Sequence, residues 1–232
     1  MNATWFLIMV CHACTRTDFI MLQNCLCTRF GVLYRQYKGG EHLVKLDIEK
    51  TAFDFDGVVA DTFRTFIDIA RLKYGLDIDY EHITEYDFMN IIDARREAVE
   101  DIIETLTHRP HEVNIRPNKG AAEVLPRISS KTGLLLVTAR PYSEPVLLWF
   151  KRHFPQIDPA CIKVFATGDS TKKLPVLKEH GIKYFVDDRL DTCYMLEKAD
   201  IIPVVYNQPW NKDHHPFYCV NDWVDIAYIL GL

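Results

Sequence analysis

From Leu46 onward, short apolar runs alternate with amphipathic segments of about ten to fifteen residues, a rhythm that predicts βαβ units and a parallel sheet. Five runs read as strands: Ile48–Phe55, Gly133–Thr138, Ile162–Ala166, Lys183–Val186 and Ile201–Val205. Each is short, and most lead into polar or turn-forming residues. Helices are expected at Glu144–Phe154, Thr171–His180 and Leu190–Lys198, with a last one near Trp223–Leu230. The interval between the first two strands breaks the rhythm, because about 75 residues separate Phe55 from Gly133 where one crossover needs roughly a dozen. The excess reads as a helical insertion. It holds Thr62–Tyr74 ending at Gly75, a longer segment through Asp87–Leu106, and a third helix after Pro117 that returns the chain to the sheet. The organisation that follows is an α/β core, a doubly wound parallel sheet formed by residues 48–61 and 117–232, with a small helical cap, residues 62–116, inserted after the first strand. The polar middle of the cap, including Arg95, Arg96, His108, Arg109, His111 and Arg116, reads as a solvated face.

The first 47 residues do not share this pattern. They show no sustained helical or strand period, lack clear caps and contain a Lys38-Gly39-Gly40 breaker, so they read as a poorly ordered amino-terminal appendage. Four of the seven cysteines lie there: Cys11, Cys14, Cys25 and Cys27, with His12 between them. Thiolate and imidazole are zinc ligands, but the second pair is spaced more tightly than zinc knuckles usually are, and the appendage is the preferred reading.

Composition narrows the function classes. A hydrophobic share of 48% is enough to bury a real core, and a formal net charge of −5 argues against a broad grip on a nucleic acid polymer or an anionic membrane. Small molecules are the default ligand, and a homodimer is left open. The early apolar run Trp5 to Val10 is far below the ~20 residues that span a bilayer, and no basic residue precedes it as in a secretory signal. A cytoplasmic protein with reduced thiols is the expectation.

The informative segment is the end of the first strand, Phe53-Asp54-Phe55-Asp56-Gly57-Val58-Val59-Ala60-Asp61-Thr62. Parallel sheets bind ligands beyond the carboxyl ends of their strands, which is where Asp54 and Asp56 fall. Alternate residues on a strand share a face, so two carboxylates there repel unless a cation or a shared proton relieves them. A hard divalent ion such as magnesium, which prefers oxygen ligands, is the simplest relief.

Asp54-Phe55-Asp56-Gly57 resembles the Asp-x-Asp-Gly motif of haloacid dehalogenase superfamily phosphatases, a Rossmann-type fold, and three further parts of that pattern follow in order. The second predicted strand ends in Thr138, followed by Ala139 and Arg140; Lys172 and Lys173 open a helix; and Tyr184-Phe185-Val186 runs into Asp187 and Asp188. The resemblance implies that Asp54 is the nucleophile forming an aspartyl-phosphate and that Asp56 is the general acid and base. It implies that Thr138, the amides of Ala139 and Arg140, and the Gly57 turn meet the substrate phosphate, and that Lys173 offsets its charge. Magnesium would be held by a carboxylate oxygen of Asp54, the main-chain carbonyl of Asp56 and Asp188, with Asp187 holding a metal-bound water. The second Asp favours phosphoryl transfer to water over dehalogenation, while a phosphomutase or a non-catalytic phosphate or metal sensor remain alternatives.

The finer texture is similar to the 5'(3')-deoxyribonucleotidase-like subgroup, over residues 48 to the end. The likeness rests on the 56–61 run, Val137-Thr138-Ala139-Arg140-Pro141, Phe185-Val186-Asp187-Asp188-Arg189, and Tyr206-Asn207-Gln208-Pro209-Trp210-Asn211 followed by Trp223. It implies a nucleoside monophosphate as substrate. Phe63, Phe66, Tyr86 and Phe88 are the cap aromatics available to stack a base, or to pack as core. Arg140 either forks a second anionic group or pairs with an acid, Asp61 reads as a helix cap, and His153, His180, His214 and His215 follow no metal spacing.

Overall fold

The computed structural model describes residues 45–86, 96–212 and 215–232, together with the backbone of 34–37 and 40–43. The expectations for Cys11, His12, Cys14, Cys25, Cys27, Phe88, Arg95 and His214, and for the helix start near Asp87, lie outside the described residues.

Within the amino-terminal stretch, β1 (Tyr34–Tyr37) and β2 (Gly40–Leu43) pair antiparallel, with Tyr37 opposite Gly40. These two strands carry too little alternation to be seen in the sequence. The core begins with a 3-10 turn at Ile48–Lys50, where the Asp47 side chain accepts from the Glu49 amide, and passes into β3 (Thr51–Phe53). The first strand is therefore shorter than its apolar run. The Asp47 cap claims one end, and at the other the Asp54 side chain turns back to its neighbour's amide, accepting from Phe55 N at 2.7 Å.

The cap contributes α1 (Thr62–Tyr74), with Asp61 accepting from Arg64 N at its start and Gly75 closing it in the left-handed conformation, and α2 (Arg96–His108). The chain re-enters the core through α3 (Ala121–Thr132) and β4 (Leu134–Thr138). There follow α4 (Glu144–His153), β5 (Ile162–Ala166), α5 (Lys173–Glu179), β6 (Tyr184–Asp187), α6 (Leu190–Glu197), β7 (Ile202–Tyr206), β8 (Tyr218–Val220) and α7 (Trp223–Ile229). Thr171 and Lys172 belong to a 3-10 turn that precedes α5 rather than to the helix. A sixth core strand, β8, was not anticipated, since three residues are too few to show a period.

The six core strands pair in parallel in the order β5-β4-β3-β6-β7-β8. Successive residues pack to opposite faces. Phe53, Leu136 and Val186 join one apolar cluster while Ala52, Val137 and Phe185 join the other, as the two-residue period of a strand requires. The larger cluster continues without a break from Phe55, Trp149 and Phe150 into Phe63, Ile67, Ile102 and Leu106 of the cap, so cap and core share one packed interior. The chain leaves β3 to one side for β4 and β5, then returns to its other side for β6. This topological switch opens a crevice beyond the carboxyl ends of β3, β4 and β6. Among the described residues no helix is long and apolar enough to cross a membrane.

Candidate active site

Three strand ends and one helix start converge on that crevice. Asp54 leaves β3 with its amide still bonded to the Val186 carbonyl at 2.9 Å, which keeps it level with the end of β6. Asp187 closes β6 and Asp188 follows it, both fully buried, and Asp54 is 4% exposed. One oxygen from each of Asp54, Asp187 and Asp188 lies within 4.8 Å of the others. Lys173, at the first position of α5 and 1% exposed, answers part of this charge, its Nζ 2.7 Å from Asp54 Oδ2 and 2.8 Å from Asp187 Oδ2. Of the two candidate lysines, Lys173 is thus the one brought to the acids.

The acids differ in what else they touch. Asp187 is fully engaged: Oδ2 takes Lys173, and Oδ1 accepts from Arg189 N at 2.8 Å. Asp188 is the reverse case. Both of its carboxylate oxygens are buried with no hydrogen-bond partner, while its main-chain carbonyl accepts from Asn211 Nδ2 at 2.8 Å. A buried carboxylate without a partner costs several kcal/mol, so the cluster fits a hard cation, which would supply what the protein withholds. Gly57 explains how the Asp188 carboxyl reaches this position. The glycine sits at φ +72°, and a Cβ there would lie 2.0 Å from Asp188 Oδ2, so only glycine allows the approach.

Electrostatics follow the same division. Burial raises Asp54 to about 7, with the Lys173 ammonium opposing and Asp187 and Asp56 adding to the rise. Burial likewise lifts Asp188 well above the ordinary carboxylate range, reinforced by Asp187 and Asp54. For Lys173, burial works against the charge, but the two carboxylates outweigh it and the net shift is upward. Asp56 moves the other way. Burial would raise it, yet the Arg140 guanidinium and the Thr62 hydroxyl bring it below the usual value.

Asp56 stands apart from the three clustered acids. Arg140 Nε reaches Asp56 Oδ2 at 2.8 Å and Nη2 reaches Oδ1 at 2.7 Å, a bidentate fork, and Thr62 Oγ1 donates to Oδ1 at 2.6 Å. Of the two roles open to the Arg140 side chain, the pairing with an acid is the one present. Its amide also donates to Thr138 Oγ1 at 3.2 Å. Within the Gly57 turn, Gly57 N donates to the Ala60 carbonyl at 2.9 Å. Thr138 is buried at the end of β4, and Ala139 is half-buried beside it.

Some residues of the site are given no role by the sequence: Asn118 and Thr62 are not singled out there, and Gln208 and Asn211 enter only as part of the Tyr206–Asn211 likeness. Yet Gln208 Nε2 donates to the Gly57 carbonyl at 2.7 Å, and Asn118 Nδ2 donates to the same carbonyl at 2.9 Å. Among the nominated aromatics, Phe63 is buried 4.0 Å from the Trp210 ring centroid and Phe66 is core. Tyr86 is half-buried, packs edge-on to both Phe63 and Trp210, and lies under the Arg189 guanidinium at 4.8 Å. Asp61 caps α1, as expected.

The family described as "5' nucleotidase, deoxy (Pyrimidine), cytosolic type C protein" matches residues 50–231. No curated protein matches the chain. Among solved structures, the fold is similar to that of the HAD-hydrolase YfnB from Bacillus subtilis, described as bound to magnesium, with a TM-score of 0.53 at 12% identity, covering 78% of this chain and 98% of that one. It is also similar to CbbY from Rhodobacter sphaeroides in complex with phosphate (TM-score 0.50, 16% identity, 79% and 99% covered). A HAD-superfamily hydrolase from Ehrlichia chaffeensis is a third (TM-score 0.50, 14% identity, 81% and 98% covered). At these identities the structures speak for the fold alone, whereas the family match spans the whole α/β core with its cap and all the acids described above. The chain belongs to the 5' nucleotidase, deoxy (pyrimidine), cytosolic type C family and is a phosphatase.

Proposed function

We propose that the protein is a magnesium-dependent phosphomonoester hydrolase that acts on nucleoside monophosphates through an aspartyl-phosphate on Asp54. The observation that carries this reading is the pairing of Asp54 with the Lys173 ammonium beside a second carboxylate, Asp188, whose two buried oxygens have no protein partner. An isolated structural ion pair would not need that third acid. Asp54, Asp188 and the main-chain carbonyl of Asp56 would hold the ion, with Asp187 behind them, and a bound divalent cation would withdraw charge from the phosphate oxygens.

The remaining chemistry belongs to the chain. Asp54 Oδ attacks phosphorus in line, forming an acyl-phosphate O–P bond as the ester P–O bond breaks; Asp56 enters this step protonated, which requires the Arg140 fork to have released one of its oxygens, and passes that proton to the departing alkoxide. Lys173 and the Thr138 hydroxyl offset charge on the transferring group. In the second half, Asp56, now a carboxylate, takes a proton from water as the water oxygen bonds to phosphorus and the Asp54–phosphorus bond breaks. Alcohol and inorganic phosphate are released and both acids return to their starting states. The family match and the half-buried Tyr86 ring beside Arg189 favour a nucleotide as the substrate.

Phosphate release from a panel of nucleoside monophosphates and sugar phosphates, with magnesium or with excess chelator, tests this reading beside Asp54→Asn. The reading expects release that needs both metal and Asp54 and that is fastest on a nucleotide. No release across the panel from a folded protein would leave a mutase or a phosphate sensor in its place.

A further inference from the structure

Gln208 and Asn211 take no part in the reaction as written, yet their carboxamides are spent on the main chain that carries the metal-binding acids. Asn211 is 1% exposed. Its Nδ2 donates to the carbonyls of Asp188 and Tyr206, both at 2.8 Å, and its Oδ1 accepts from Gln208 N at 2.9 Å. Both donor hydrogens are thus in use. In the same turn, Gln208 Nε2 donates to the Gly57 carbonyl at 2.7 Å, while the Tyr80 hydroxyl donates to Gln208 Oε1 and so keeps the nitrogen turned towards Gly57. Pro209 and the buried Trp210, whose ring packs on Phe63, fill the turn between them. The 208–211 turn therefore holds two pieces of main chain at once, at Asp188 and at Gly57. These are the pieces that meet at the acid cluster, where a Cβ on Gly57 would lie 2.7 Å from Asp188 Cγ. The Asp56 carbonyl belongs to the peptide group that enters Gly57, and that group is fixed in turn by Gly57 N donating to the Ala60 carbonyl.

We infer that the 208–211 turn sets the width of the metal seat, with Asn211 and Gln208 as positioning residues, and thereby favours a small ion such as magnesium over a larger one such as calcium. The inference rests on the proposed reading, in which Asp54, Asp188 and the Asp56 carbonyl hold the ion. Asp54 is placed through its side chain, by Lys173. Asp188 is not, because neither of its carboxylate oxygens has a protein partner, and the bond from Asn211 reaches its main chain instead. Magnesium demands near-ideal octahedral geometry, whereas calcium accepts longer and more variable contacts. Ligands whose main chain is pinned on both sides of the seat favour the first ion, and ligands free to drift favour it less.

The test is calorimetric titration of the chelator-treated full chain with magnesium alone and with calcium alone, at one pH. Asn211→Ala is expected to raise the magnesium Kd about 10–100-fold, the scale for groups that orient metal ligands. The calcium Kd should rise at least about threefold less, because calcium tolerates the looser seat. Gln208→Met, which keeps the length and loses the donor, should show the same order at a smaller size, since Asn118 still holds the Gly57 carbonyl at 2.9 Å. It stands as the test should Asn211→Ala fail to fold. Binding is read on folded protein, so a loss of stability alone moves neither constant. Ile128→Val, a cavity in the core side of α3, serves as the control that costs stability and leaves both Kd values in place. An unchanged magnesium Kd in the turn variants, or calcium weakened as much as magnesium, would overturn the inference and make the turn a support of the fold. A wild type that binds neither ion overturns the metal reading itself, which separates the two failures.

Discussion

Lys173 and Arg140 both answer a carboxylate of the Asp54-Phe55-Asp56 segment, but they are anchored in different parts of the molecule. Lys173 is held by Asp54 and Asp187, on neighbouring strands of one sheet. Arg140 bridges Asp56 in the core and the α2 carbonyls of the cap. The difference teaches that the charge at Asp54 is answered wholly within the sheet core, while the charge at Asp56 is answered by a cation that also ties the core to the cap.

The comparison breaks most visibly at Lys173. Replacing it with methionine strands Asp54 and Asp187 as buried carboxylates, and losing one partner of a buried pair costs about 3–5 kcal/mol. Urea unfolding in chelator should show that loss, and divalent metal should restore part of it. A Lys173→Met protein as stable as the wild type without metal would mean that the core does not depend on this cation.

A smaller effect is expected at Asp188, where the sheet has left a carboxylate with no protein partner. Asp188→Asn removes a buried charge that nothing offsets, so the metal-free protein should gain stability. The same variant should lose the stabilisation by magnesium, which for the wild type amounts to about 2.7 kcal/mol at roughly a hundred times Kd. Thermal unfolding with and without metal checks both halves, and an unchanged metal response in the variant would move the ion away from Asp188.

The division was only half legible in the chain. Asp54, Lys173, Asp187 and Asp188 could be located because each stands at a strand end or helix start, and the sheet order brings those ends together. Arg140 could not be settled, since a guanidinium reaches far enough to meet either a ligand or an acid, and its partner Asp56 is 84 residues away in sequence. The cap's share of the site was the least visible part. It depends on main-chain carbonyls of Leu106 and Thr107, which any residue would supply, and on how α2 docks. In the fold, the apolar run Ile48–Phe55 overstated the first strand because side-chain hydrogen bonds from Asp47 and Asp54 end it at both sides. Residues Tyr218–Val220 are too few to announce a sixth core strand.

The smallest effect serves as a control at the opposite end of the protein's chemistry. Asp222 caps α7, accepting from Val224 N at 2.9 Å and Asp225 N at 3.3 Å, and pairs with Lys119 at 2.7 Å. Its partial burial would raise the carboxyl, but the Lys119 ammonium and the two amides bring it below the usual value. A carboxyl lowered in the folded state contributes stability above its unfolded pKa of about 3.9, and that contribution is lost as pH falls through the folded value. Asp222→Ala should therefore cost about 1 kcal/mol near neutral pH. The gap from wild type should shrink in acid, with catalysis unaffected. A gap that widened as pH fell would reverse the sign of the argument.

The claim at the centre of the account is that Asp54 carries the phosphoryl group between the two half-reactions. Rapid acid quench of the enzyme during turnover of a nucleoside monophosphate, followed by mass analysis of the peptide containing Asp54, tests it directly. The account predicts a phosphoryl adduct on that peptide that hydroxylamine removes and that Asp54→Asn never forms. Full hydrolytic activity in Asp54→Asn, with no adduct in the wild type, would contradict it.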